Sequence, residues 1–127
     1  MQNSSFQQAV AADRAGDLST AEKLYRRAIK KRDNAHAATV NLAALLARTG
    51  NTAKAIPMAR MALSKKPDDF AANYLMGKIY AEDKKWGRAR GHLVNALKQQ
   101  PGSIDARLEL STLHIACDDF VEADAIL

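Results

Sequence analysis

Small residues return every 34 positions along this chain. Ala21, Ala55, Ala89 and Ala123 keep that step, and so do Ala28, Ala62 and Ala96. Gly16 and Gly50 keep it as well, as do Pro67 and Pro101. A fixed period of this length marks a supersecondary unit stacked on copies of itself. Such stacks present broad surfaces rather than enclosed catalytic pockets, so the period favours holding a partner over chemistry.

Each repeat reads as helix, tight turn, helix. In residues 70–103, Leu75, Met76, Ile79 and Tyr80 form an apolar stripe at helical spacing. Asp83-Lys84-Lys85 makes the turn. Ala89, Leu93, Ala96 and Leu97 then share one face of a second helix, which Pro101-Gly102 stops. The preceding repeat follows the same plan. Leu42, Ala43, Leu45 and Leu46 lead to a turn at Gly50-Asn51, where glycine can take the left-handed conformation that ends a helix. The repeats fall at about 2–35, 36–69 and 70–103, with a truncated fourth at 104–127. They are expected to form one all-α domain over 1–127, with seven helices and a short eighth.

Asp17, Asn51 and Asp119 share a column just before the second helices, where their side chains can cap free N–H groups. Glu122 stands three residues after Asp119, the spacing of a capping box. Lys85 breaks this column, and Trp86 is expected to supply packing instead. Ala9, Ala43, Gly77 and Ser111 form a second small column, on the first helices. Helices approach closely only where side chains are short, so these two columns mark the intrarepeat contacts. Pro57 lies near the start of its helix but beyond the first position and crowds the Ala53 carbonyl, so a local distortion is expected there.

Charge is uneven. Residues 1–66 carry 12 Lys and Arg against 4 Asp and Glu, and residues 67–127 carry 7 against 10. The basic run Arg26, Arg27, Lys30, Lys31, Arg32 ends a helix, where the dipole favours cations. Nucleic acid is the sharper reading of this run, but no aromatics interleave it for base stacking. No apolar run approaches the roughly 18 residues that span a bilayer. With no secretory signal pattern and a single cysteine, Cys117, a cytoplasmic home is the simplest expectation.

Catalytic and metal chemistry find little support. His114 and Cys117 share a helical face, but His36 and His92 belong to other repeats and the ligand set is incomplete. Asp68-Asp69 and Asp118-Asp119 stand at expected helix starts, where capping explains them. No catalytic or phosphate-binding motif is present. The expectation is a non-enzymatic chain with no cofactor and no metal.

Three repeats carry a common motif. The third reads Asn73-x-x-Met76-Gly77-x-x-Tyr80, then Ala89-x-x-x-Leu93, Ala96 and Pro101. The second reads Thr39-x-x-Leu42-Ala43-x-x-Leu46, then Ala55-x-x-x-Ala59, Ala62 and Pro67. The first reads Gln8-Ala9-x-x-Ala12, then Ala21-x-x-x-Tyr25 and Ala28. This resembles the tetratricopeptide repeat, over essentially the whole chain. The resemblance implies a solenoid of antiparallel helix pairs wound as a right-handed superhelix. It also implies a concave groove, lined by first helices, that accepts a peptide or helix of a protein partner.

Carried onto this chain, the groove columns are Phe6, Val10, Asp13 and Arg14, then Val40, Asn41, Ala44 and Arg48. The third repeat adds Tyr74, Leu75, Lys78 and Glu82. The residues taken as the peptide site are Phe6, Val10, Arg14, Val40, Asn41, Arg48, Tyr74 and Lys78. Family members that hold chaperone tails clamp a C-terminal carboxylate with Lys, Asn and Arg. Asn41 matches one clamp asparagine, but Phe6, Val10, Ala71 and Leu75 replace the rest, so that ligand is argued against.

The family leaves a second reading open. Ala15-Gly-Asp-Leu-Ser-Thr-Ala-Glu-Lys-Leu-Tyr-Arg-Arg-Ala is similar to openings of bacterial proteins that join such repeats to glycosyl-, sulfo- or methyltransferase domains. This segment would then be an accessory module to a catalytic domain beyond Leu127. The unfinished fourth repeat would leave Phe120, Ile126 and Leu127 without cover. Weak self-association through that end is therefore expected.

Overall fold

The computed structural model describes residues 4–123, with side chains through Ile115. The described residues form seven helices and no strand. They are α1 (Ser5–Arg14), α2 (Leu18–Lys30), α3 (Ala35–Arg48), α4 (Thr52–Lys65), α5 (Phe70–Glu82), α6 (Trp86–Gln99) and α7 (Ile104–Ala123). The chain divides into two compact units, Met1–Lys65 and Lys66–Leu127.

Turn chemistry sets the helix ends. Gly16 and Gly50 both sit at φ +83°, and Lys84, in the same column, sits at φ 59°. Each of these turns is closed by a backbone bond reaching back into the helix: Asp17 N–H to Ala12 O, Asn51 N–H to Leu46 O, Lys85 N–H to Tyr80 O. These bonds satisfy carbonyls that the helix end would leave free. Asp17 accepts from the Thr20 N–H and Asp69 from the Ala72 N–H, each worth about 1 kcal/mol. Lys85 makes no side-chain cap and instead pairs with Asp83 at 3.3 Å.

The small columns are where the helices close on one another. Ala9, Ala21, Ala43, Ala55 and Ala89 are all 0% exposed. At Gly77 the contact is closest: a Cβ there would lie 2.6 Å from Leu93 Cγ. The preceding repeat has Ala43 at the Gly77 position and Ala59 at the Leu93 position. In the third repeat the missing side chain at Gly77 makes room for Leu93. A buried polar cluster adds to the C-terminal unit. The Asn73 amide donates to Pro67 O and Asp69 O, both at 3.0 Å. Its oxygen can only accept, so the 3.0 Å contact to His92 Nδ1 places the proton on that nitrogen.

Two features bear on the sequence reading. α4 runs from Thr52 to Lys65 with Pro57 inside it, and stays helical on both sides. Pro57 is exposed and only six residues into the helix, so its ring and the one missing bond face solvent. α7 runs through Asp118 and Asp119, where a turn and a capped second helix were expected. Asp118 occupies the column of Gly16, Gly50 and Lys84, all three at positive φ, yet the helix continues through it. The expectations for Phe120, Ile126 and Leu127 lie outside the described side chains. Among the described residues no helix is long and apolar enough to cross a membrane.

Candidate peptide-binding clefts

A cleft of about 500 Å³ opens in the N-terminal unit between α1 and α3, floored by α2. Val10, Asp13 and Arg14 come from α1, Leu18 and Tyr25 from α2, and Asn41 and Arg48 from α3. Tyr25 is 1% exposed, and its hydroxyl donates to Asp13 Oδ2 at 2.9 Å. The other Asp13 oxygen accepts from Arg48 Nη2 at 2.6 Å. One carboxylate therefore ties all three helices together across the cleft floor. Burial, then the Asp13 hydrogen bond and its negative charge, push the Tyr25 phenol from its ordinary 10 to about 12. The phenol stays protonated and keeps donating.

The C-terminal unit holds a cleft of about 240 Å³, lined by Lys78, Ala81, Glu82, Trp86, Glu109, Thr112 and Leu113. Five of these stand exactly two periods, 68 positions, after cleft residues of the N-terminal unit. Lys78 replaces Val10, Ala81 replaces Asp13, Glu82 replaces Arg14, Trp86 replaces Leu18 and Glu109 replaces Asn41. On α5, Lys78 also holds its ammonium 5.5 Å from the centre of the Tyr74 ring. That ring stacks on Phe70 at 5.8 Å and 5°. Burial, then the charges of Glu109 and Asp105, raise the Tyr74 phenol.

Of the eight residues expected at the site, Val10, Arg14, Asn41 and Arg48 meet in the first cleft and Lys78 lines the second. Val40 is 7% exposed and belongs to the core, a correction to its reading as a groove residue. It sits one position before Asn41, a 100° rotation that carries it off the open face. Phe6 and Tyr74 are half-buried outside the clefts. Phe6 lies 6.4 Å from the Tyr25 ring, and its N–H donates to Asp33. The second-helix residues Leu18, Tyr25 and Trp86 were not foreseen as cleft residues. The repeat itself holds the signal: Leu18, Thr52 and Trp86 each open a second helix, at the mouth of the turn.

Antiparallel helix pairs at a 34-residue period, with clefts repeating in register, define an all-α helical-repeat protein. Tetratricopeptide repeat family models match residues 6–70 and 80–127. The chain belongs to the tetratricopeptide repeat family.

Solved structures agree on the fold. The first TPR of Spaghetti (RPAP3), bound to the HSP90 peptide SRMEEVD, gives a TM-score of 0.84 at 17% identity over 90% of both chains. The Sgt2 TPR domain of Aspergillus fumigatus gives 0.84 at 19% identity, over 93% of this chain and 80% of that one. MamA of Desulfovibrio magneticus RS-1 gives 0.79 at 23% identity over 95% of this chain. This chain spans 68% of that MamA structure and 65% of a MamA double mutant. No curated protein matches it by sequence.

Proposed function

We propose that this chain is a non-catalytic protein-interaction module that binds a peptide segment of a partner in its clefts. The recurrence of one cleft at a 68-residue offset carries this reading, because the fold rebuilds the same recess with different side chains. The first cleft offers the exposed Arg14 and the anchored Arg48 above an apolar wall of Val10 and Leu18. It suits an acidic side chain on an aliphatic stem. The second offers Trp86 and Leu113, edged by Lys78, Glu82 and Glu109. It suits an apolar or aromatic anchor. Neither needs a C-terminal carboxylate, in keeping with Phe6 and Val10 at the clamp positions.

A peptide-display selection on the purified chain tests the proposal, followed by titration calorimetry of the enriched peptides. Val10→Glu and Lys78→Ala should each weaken binding at least tenfold with helicity unchanged, which is about 1.4 kcal/mol. Unchanged affinity in both variants would move the site off these clefts.

A further inference from the structure

The N-terminal unit carries a second, chemically different groove, made of two recesses of about 530 and 300 Å³ that lie between α2 and α4, the second also lined by Ala35, His36 and Thr39 of α3. Lys54, Met58, Met61 and Lys65 follow one another along α4 at steps of four, three and four, a single helical stripe. Ile29 and Arg32 face them from the α2 side. The middle of the seam is apolar, and Met61 is left 49% exposed. The ends are cationic. Arg32, Lys54 and Lys65 have no ion-pair partner among the described residues. Glu22, the acid on this seam, is neutralised by Arg26 at 3.0 Å.

We infer that this α2/α4 groove docks an amphipathic helix of a protein partner, apolar on one face and flanked by Glu or Asp. The stripe from Lys54 to Lys65 runs about 16 Å, three turns of a docked helix. Methionine floors adapt to varied apolar knobs, and the cations at both ends select acidic flanks. Arg32 adds a separate argument. It sits at φ 59°, where glycine is the unstrained choice, and it brings a cation to the groove edge. A nucleic-acid surface fits less well, because no Phe, Tyr or Trp lines these recesses for stacking and their centre is apolar. A lipid surface fits less well, because the apolar atoms lie in recesses between two ridges.

The inference stands apart from the clefts of the α1/α3 face, and one titration separates them. The probe is a fluorescein-labelled helical peptide with three Leu at i, i+4 and i+7 and Glu flanks, read by anisotropy on the whole chain. It should bind saturably, and Lys flanks or Leu→Ser changes should weaken it at least tenfold. Met61→Glu and Lys65→Glu should each weaken it to a similar degree, while Val10→Glu should not. Arg32→Gly should weaken binding while holding or raising the melting temperature, which a merely structural role for Arg32 would not produce. Three outcomes would overturn the inference: equal binding of the Lys-flanked probe, no effect of Met61→Glu, or loss of binding in Val10→Glu. Tighter binding of single-stranded RNA or phosphatidylserine vesicles, unaffected by Met61→Glu, would overturn it as well and assign the face to polyanions.

Discussion

The two clefts occupy the same positions in the repeat and share almost no chemistry. In the N-terminal unit the floor is Tyr25, whose hydroxyl recruits Asp13 and through it Arg48. In the C-terminal unit the residue 68 positions on is Leu93, and Asp13 becomes Ala81. The first cleft's floor is held by a hydrogen-bonded carboxylate, whereas the equivalent position in the other unit is an apolar side chain buried against Gly77 and not part of the cleft lining. The backbone period fixes where a recess opens. The side chains placed there decide whether it is polar or apolar.

The sharpest break in this comparison comes from the buried apolar position. Leu93 is 0% exposed, so Leu93→Ala should cost about 2–5 kcal/mol in chemical denaturation. Gly77→Ala should cost about 1–3 kcal/mol, because its new Cβ meets Leu93. Combined, the two changes recreate the Ala43 and Ala59 pairing of the preceding repeat. The double variant should therefore be more stable than the sum of the single losses implies. Strict additivity would show that the two side chains do not share one space.

The polar floor should respond more gently. Tyr25→Phe removes one neutral donor from a carboxylate that keeps Arg48, a loss of about 1 kcal/mol. No equivalent loss should follow from Ala81→Ser in the other unit. The pH dependence has a definite sign. The folded phenol is raised to about 12, so its contribution is fully present below pH 10 and is lost as pH rises through 12. Between those values the wild type should lose stability faster than Tyr25→Phe, measured by urea denaturation at stepped pH. Parallel curves would mean that Tyr25 ionises as freely in the folded chain as in the unfolded one.

The smallest expected effect belongs to the ion pair. Arg48 is 55% exposed, and exposed pairs contribute roughly 0–1 kcal/mol. Arg48→Ala should therefore leave the melting temperature nearly unchanged, while weakening a selected acidic peptide in the first cleft. A large drop in stability would make Arg48 a structural strut rather than a binding residue.

Much of the fold was legible because its signals are local. A helix start needs a cap such as Asp17, a stop needs a residue such as Gly50, and a close helix contact needs a short side chain such as Ala89. Each is written in adjacent or periodic positions. Asp118 shows the limit of that logic. It stands in the turn column, yet the helix runs on through it, so the column alone does not end a helix. The candidate site was legible only in part for a similar reason. Helical spacing told which residues share a face, but not which edge of that face meets a neighbour. Val40 and Asn41 differ by one position, and one is core while the other lines the cleft.

By itself, the sequence determined the repeat, the helix pairs, the small columns and the turns, because those depend on periodicity and backbone conformation. Tertiary structure alone decided that Tyr25, Asp13 and Arg48 form one network. It also decided that Leu93 presses on Gly77, and that Ile29 and Met61 share a groove. Those partners come from different helices, up to 35 positions apart. Their side chains meet only where the helices pack, and packing depends on the volumes of many residues at once.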